Sequence, residues 1–168
     1  LGLEVASVVN LEEDLKSFIS VEIIDVKKHP NADKLNICKV FDGKNTFDVV
    51  CGAPNVKLGM KSIFANIGTF IPGLNLKLKK AKIRGEESFG MLCSEKELTL
   101  SENHNGIIEL ENSSELGLSI SDIMDLNDPI IEIEITPNRG DCLGVRGIAR
   151  DLAAAGMGKL KDLDITYS

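Results

Sequence analysis

The sequence predicts a chain dominated by β structure: a small closed five-stranded barrel with short helices, joined to part of a flanking α+β domain. Three observations carry that expectation. Short segments of alternating hydrophobicity recur between about residues 20 and 132. Tight-turn pairs, Asp42-Gly43 and Pro72-Gly73, punctuate them. Beyond Pro137 the hydrophobic period lengthens from two to that of a helix.

Taken in order, Val21 to Lys28 reads as a strand, Leu35 to Phe41 as the next, and Asn45 to Cys51 as its hairpin partner across Asp42-Gly43. Gly52-Ala53-Pro54-Asn55 breaks the pattern. Lys61 to Ile67 alternates, with Ile63, Ala65 and Ile67 expected inward and Ser62, Phe64 and Asn66 outward. After Pro72-Gly73, Leu74, Leu76 and Leu78 share one face. The phase then slips, so that Ala81 and Ile83 become the apolar set. A slip of one residue requires a bulge or bend at Lys79-Lys80, because otherwise three cations would enter the core.

A further strand follows through Met91 to Cys93. Ser94-Glu95-Lys96-Glu97 has the capping-box pattern of a short helix. Gly106 to Leu110 reads as a short strand, Ser121 to Met124 as a helical turn, and Ile130 to Ile135 as a strand with Glu132 and Glu134 on its wet face. A helix over about 142–155 is expected, with Asp141 as its N-cap and Gly156 as its left-handed terminator. The expected domains are therefore 1–19, a piece of the flanking domain; 20–132, the barrel; and 133–168, where the flanking domain resumes. Among barrels of this size the oligonucleotide-binding barrel, or OB-fold, fits best.

The 168 residues can bury a core without disulfides or metals. With 43% hydrophobic and 27% charged residues, the composition is that of an ordinary globular chain. No apolar run approaches 18 residues, and no basic-then-apolar leader is present. Cys38, Cys51, Cys93 and Cys142 lack metal-site spacing and read as buried thiols in a reducing, cytoplasmic setting. His29 and His104 have no triad or metal partner at a readable spacing, and no paired catalytic carboxylates stand out. The chain begins at Leu1, and Leu163 to Ser168 starts a strand-like alternation and then breaks off. A fragment of a longer polypeptide is the expectation.

The net charge of −7 argues against a protein that coats nucleic acid generically. Its distribution says something else. Residues 1–48 carry six basic and nine acidic groups, and residues 86–168 carry six and seventeen. Residues 49–85 between them carry Lys57, Lys61, Lys77, Lys79, Lys80, Lys82 and Arg84 and no carboxylate. Such a stripe on an acidic body steers a polyanion to one face. The competing reading is a solvated lysine strand without a partner.

His29-Pro30-Asn31-Ala32-Asp33-Lys34-Leu35, Val50-Cys51-Gly52-Ala53-Pro54-Asn55, and Ile83-Arg84-Gly85 through Ser88-Phe89-Gly90-Met91-Leu92-Cys93-Ser94 resemble the motifs of the tRNA-binding barrel family. Ile135-Thr136-Pro137-Asn138-Arg139-Gly140-Asp141-Cys142 and the helix that follows resemble the segment after the inserted barrel in the bacterial phenylalanyl-tRNA synthetase β-subunit family. Gly144 and Asp151 depart from that pattern, which expects Ser and Glu. The resemblance implies a non-catalytic part of a cytoplasmic α2β2 ligase that attaches phenylalanine to tRNA with ATP and magnesium. It implies tRNA and the α subunit as partners, no cofactor or metal within these residues, and no membrane association.

Lys77, Lys79, Lys80, Lys82 and Arg84 are the main candidates for phosphate contact. Lys34 is placed to reach a phosphate at the groove edge, while Asn31 and Asp33 read as turn formers. Ser88, beside backbone glycines, suits a phosphate or 2′-hydroxyl, and the resemblance supports it. Phe64 and Asn66, on the outward face, are candidates for base stacking and polar contact. Met91 reads as core. Arg139, Asp141, Arg146 and Arg150 read as a structural ion-pair group. Two alternatives remain: a freestanding tRNA-binding or chaperone-like dimer of the same barrel, and an insert that only braces the synthetase.

Overall fold

In the computed structural model, residues 2–163 are described. The strands are β1 (Glu4–Val9), β2 (Phe18–Lys28), β3 (Asn36–Phe41), β4 (Thr46–Cys51), β5 (Lys61–Asn66), β6 (Phe70–Ile71), β7 (Leu76–Lys77), β8 (Ala81–Ile83), β9 (Glu86–Ser88), β10 (Gly90–Leu92) and β11 (Ile130–Glu134). The helices are α1 (Leu11–Leu15), α2 (Ile120–Ile123) and α3 (Val145–Ala154). Two compact units result: Asn10–Asp128, and the residues before Asn10 together with those from Pro129 onward. None of the helices is long and apolar enough to cross a membrane.

The larger unit is an antiparallel sheet in the order β10-β5-β2-β3-β4. It curls until its two ends meet. Phe89 N donates to Asp48 O at 2.9 Å, and Val50 N donates to Ser88 Oγ at 3.1 Å, so the segment around β9 and β10 is bonded to β4. The expected five-stranded barrel is present, nearly closed. Asp42 makes its predicted turn by accepting from Lys44 N and Asn45 N, with Gly43 at φ +95°.

The barrel has apolar residues on both faces of its central strand. Val21, Ile23, Val40, Val49, Phe64 and Leu92 form one buried cluster. Ile63 and Ala65, on the opposite face of β5 by strand alternation, join Leu15, Phe18, Leu98, Ile108 and Ile120 in a second. Ser62 through Ala65 are consequently all buried. The expected facing is reversed: Phe64, with Ser62 on the same face by alternation, turns into the barrel beside Val21, Val40 and Val49, while α1, α2 and the segment after β10 cover the Ile63 and Ala65 side, so neither face is open. Leu11, Leu15 and Phe18 belong to the packing of this unit. Ile67, expected inward, lies past the end of the strand and is 40% exposed.

Two further expectations are corrected. Ser94 and Glu97 do engage, with Ser94 N and Oγ both donating to Glu97 Oε2, but a turn results instead of a helix. Thr99, at φ +57°, ends it. Gly106 to Leu110 makes only a bridge from Leu110 to Lys61. Asn55 pins its start, since both ends of the Asn55 amide bond the backbone of Ile107.

In the smaller unit β1 pairs with β11, a partnership not foreseen for residues 4–9. A 3₁₀ turn over Pro137–Cys142 leads to α3, whose N-cap is Gly144 and not Asp141. Asp141 serves as an ion-pair partner. Arg139 and Arg150 both donate to its carboxylate and both also reach Asp151. Arg139, then Arg150, holds the Asp141 carboxyl down to about 2. Arg146 instead donates to Lys161 O at 3.4 Å. Gly156 ends α3 at φ +80°, as expected. The alternation from residue 164 onward lies outside the described residues.

Candidate nucleic-acid interface

The cationic stretch is not one bent strand but two short hairpins. In the first, β6 pairs with β7, Phe70 opposite Lys77 and Ile71 opposite Leu76. Beyond it Gly68 N donates to Leu78 O and Leu78 N to Thr69 O. Two residues thus oppose one, and Gly68 takes φ +94°: a bulge with its glycine in the left-handed region. In the second hairpin, β8 pairs with β9 through Ile83-Arg84-Gly85-Glu86. Arg84 and Gly85 both have positive φ, 49° and 104°, the requirement of a two-residue turn matched to strand twist. The ladder is interrupted between Lys77 and Ala81, where the phase slip demanded a bend. The inward leucines are fewer than expected. Only Leu78 packs against the core, while Leu74 and Leu76 are exposed.

The second hairpin is clasped to the barrel by the loop after β2. Asn31 N donates to His29 Nδ1 at 3.0 Å, which makes Nδ1 an acceptor. The ring proton then sits on Nε2, which donates to Ile83 O at 3.0 Å. Asn31 Nδ2 donates to Arg84 O at 3.1 Å. His29 is buried, so this short chain of bonds replaces water at the hairpin's tip. The sequence signal was available in His29-Pro30-Asn31, but a bond across about fifty residues is invisible to spacing.

Lys77, Lys79, Lys82 and Arg84 are exposed, and among the described residues none makes an ion pair with a carboxylate. Lys80 differs. Its Nζ is 2.9 Å from Glu87 Oε1 and 4.6 Å from the centroid of the Phe89 ring. Glu87 also lies opposite Lys82 in register. The acids that resume at residue 86 therefore fold back against the cations. Lys57 pairs with Glu109, and Lys61 donates to the carbonyls of Asn112 and Ser114. Of seven basic residues in the carboxylate-free stretch, four remain open.

Lys34 is exposed in the loop leading to β3, apart in sequence from both hairpins. Asn66 is exposed, and its side chain accepts from Ile67 N at the turn before β6. Two candidates are corrected. Ser88 is 3% exposed, and its hydroxyl is consumed by accepting from Val50 N and donating to Gly90 O. It closes the barrel. Phe64 is fully buried, its ring centroid 5.1 Å from that of Phe47. Met91 packs against the second cluster, as read.

Asp141, Cys142 and Asp151 are the one group of metal-ligand type among the described residues. Their carboxylates already accept from Arg139 and Arg150, so a cation would have to displace two guanidinium groups. The four thiols are free and buried, and burial pushes Cys38 up to about 12.

Residues 18–119 match the family described as "Putative tRNA binding domain". The chain is 55% identical over 174 aligned residues to the phenylalanine–tRNA ligase beta subunit of Ehrlichia ruminantium, covering 99% of this chain and 21% of that protein. It is 53% identical to that of Paramagnetospirillum magneticum, over 98% of this chain and 21% of the relative. It thus spans about a fifth of the curated relatives it matches. Among solved structures, a MetRS-related protein from Pyrococcus horikoshii aligns over 61% of this chain and 87% of its own, with a TM-score of 0.45 and 22% identity.

Proposed function

Because the chain belongs to the tRNA-binding domain family, which it matches over residues 18–119, we propose that its two cationic hairpins dock tRNA for a phenylalanine–tRNA ligase. The observation that carries this reading is the set of four exposed cations, Lys77, Lys79, Lys82 and Arg84, none of which makes an ion pair among the described residues, Glu87 being engaged by Lys80. Phosphates dominate affinity for nucleic acid, and unpaired exposed cations release counterions when they meet them. Lys34 and Asn66 are outlying contacts on the same reading. Lys80 joins only by exchanging Glu87 for a phosphate, which costs little at an exposed pair.

On this reading the chemistry of phenylalanine attachment is performed outside these residues. ATP, magnesium and the α subunit of an α2β2 assembly belong to the whole cytoplasmic ligase, of which this chain matches about a fifth. Similarity that runs through the unit from Pro129 onward favours an inserted barrel over a freestanding dimer.

The test is a fluorescence titration of tRNA against salt. Four phosphate contacts give a slope of log affinity on log salt of roughly −2.8 to −3.6, at 0.7 to 0.9 per phosphate. Reversing the charge of Lys77, Lys79 and Lys82 flattens the slope and abolishes tight binding. Unchanged affinity after reversal would favour a domain that only braces the synthetase.

A further inference from the structure

The structure buries the phenylalanine that the sequence pointed to and exposes another. Phe18 and Phe64 are fully buried, and Phe41, Phe47 and Phe89 are half-buried. Phe70 is the one exposed phenylalanine among the described residues, at 52%. Its neighbour in the chain, Ile71, points the other way and is fully buried, so the hairpin is anchored while Phe70 stands off it. Directly across the ladder from Phe70 is Lys77, on the same face and close enough for the two side chains to act together. Lys79 follows two residues later, exposed on the far side of half-buried Leu78. Among the described residues no ring or cation contact engages the Phe70 ring, whereas Phe64 has Phe47 and Phe89 has Lys80.

An exposed aromatic ring opposite one unpaired lysine on a β-ribbon, with a second two residues further along the chain, has the composition of a nucleotide subsite: a stacking platform with phosphate partners. Leu74 and Leu76 of the same hairpin are exposed as well, so what favours a nucleotide over an apolar protein contact is the charge around the ring. The residue opposite Phe70 is a cation, and the stretch contains no carboxylate from Val49 to Gly85.

We propose that Phe70 stacks one unpaired base of the bound tRNA while Lys77 and Lys79 hold the adjoining phosphates. The proposal rests on the tRNA-docking reading and adds to it a residue type that reads single-stranded nucleotides and not duplex. Loops and ends of tRNA then seat on the first hairpin, and Lys82 and Arg84 on the second serve the backbone.

The chain contains no tryptophan, so Phe70→Trp installs a single reporter. On titration with a tRNA transcript its emission is expected to be quenched by the stacked base, with a midpoint equal to that of anisotropy on labelled tRNA. Phe70→Ala is expected to weaken binding roughly 5- to 150-fold with the salt slope unchanged, since no phosphate contact is lost. Phe70→Leu, which keeps apolar area without a π face, should weaken it nearly as much, and Phe70→Tyr should bind normally. A duplex RNA of equal length should show no dependence on residue 70. If Phe70→Ala and Phe70→Leu bind tRNA like the unaltered chain while reversal of Lys77 and Lys79 weakens it, stacking is overturned and tRNA docking stands. If Phe70→Leu retains the affinity that Phe70→Ala loses, the ring is an apolar contact and not a base platform. If the unaltered chain binds no tRNA at low salt, both readings fall.

Discussion

His29 illustrates how a single ring sets the position of a surface it never joins. Its two nitrogens are both used, one accepting from Asn31 N and one donating to Ile83 O, and Asn31 adds a bond to Arg84 O. Arg84 sits at a positive φ that a non-glycine residue adopts only when its surroundings hold it there. The clasp is that restraint. Replacing His29 with Ala leaves Ile83 O and Asn31 N without these partners at a partly buried site, for an expected loss of about 1 kcal/mol in urea unfolding. Binding of tRNA should weaken through the second hairpin alone. His29→Ala and Arg84→Ala together should then cost little more in affinity than either alone, because the clasp acts through Arg84. Additive losses would mean that the clasp and the arginine act separately.

At the scale of the element, closure of the barrel depends on β10 lying flat against β5. Gly90 is opposite Asn66 in register, and a Cβ built on it would stand 2.1 Å from the Phe64 ring and 2.6 Å from Ala65 O. Phe64 is boxed in by its contact with Phe47, so it has no free volume into which to retreat. Gly90→Ala therefore opens the seam that Ser88 closes. It is expected to destabilise by about 1–3 kcal/mol in urea unfolding and to raise amide exchange at Val50, whose N–H is bonded to Ser88 Oγ. Wild-type stability in this variant would show that β10 has room to move. The sequence reading placed a strand after Ser88-Phe89-Gly90. It assigned Ser88 to the ligand because spacing shows that a hydroxyl lies beside glycines, not which strand lies across from it.

Across the whole molecule, the acidic total and the cationic stretch are reconciled by internal pairing. Lys57, Lys61 and Lys80 are absorbed by partners from the acidic stretch that follows, and the residue of that neutralisation is a small open set on two hairpins. The thiols also behave as a property of the fold. Burial pushes Cys38 up to about 12 and raises Cys51 and Cys93 as well. In the unfolded chain these thiols ionise near pH 9. The folded state keeps its protons, so this contribution to stability is complete below about pH 9 and is lost as pH rises from there toward 12. Urea midpoints measured between pH 8 and 10.5 should fall, and should fall less in Cys38→Ala. An equal decline in both proteins would remove Cys38 from the explanation.

What the sequence determined by itself were the local and additive features. Alternation located β2 to β5, Asp42-Gly43 fixed the first hairpin, the phase slip near Lys79 located the break between the cationic hairpins, and the count of carboxylates located the positive stretch. Each depends only on neighbours in the chain. What only the tertiary structure decided was which of two faces, and which of seven cations, meets water. Phe64 and Ser62 alternate like outward residues, yet their side of β5 is the barrel interior, and α1, α2 and the segment after β10 cover the other side, that of Ile63 and Ala65. Phe70 looks unremarkable in a two-residue strand, yet it is the one phenylalanine left exposed among the described residues. Burial is settled by segments far apart in sequence converging on one surface, and the period of a strand carries no information about what will arrive to cover it.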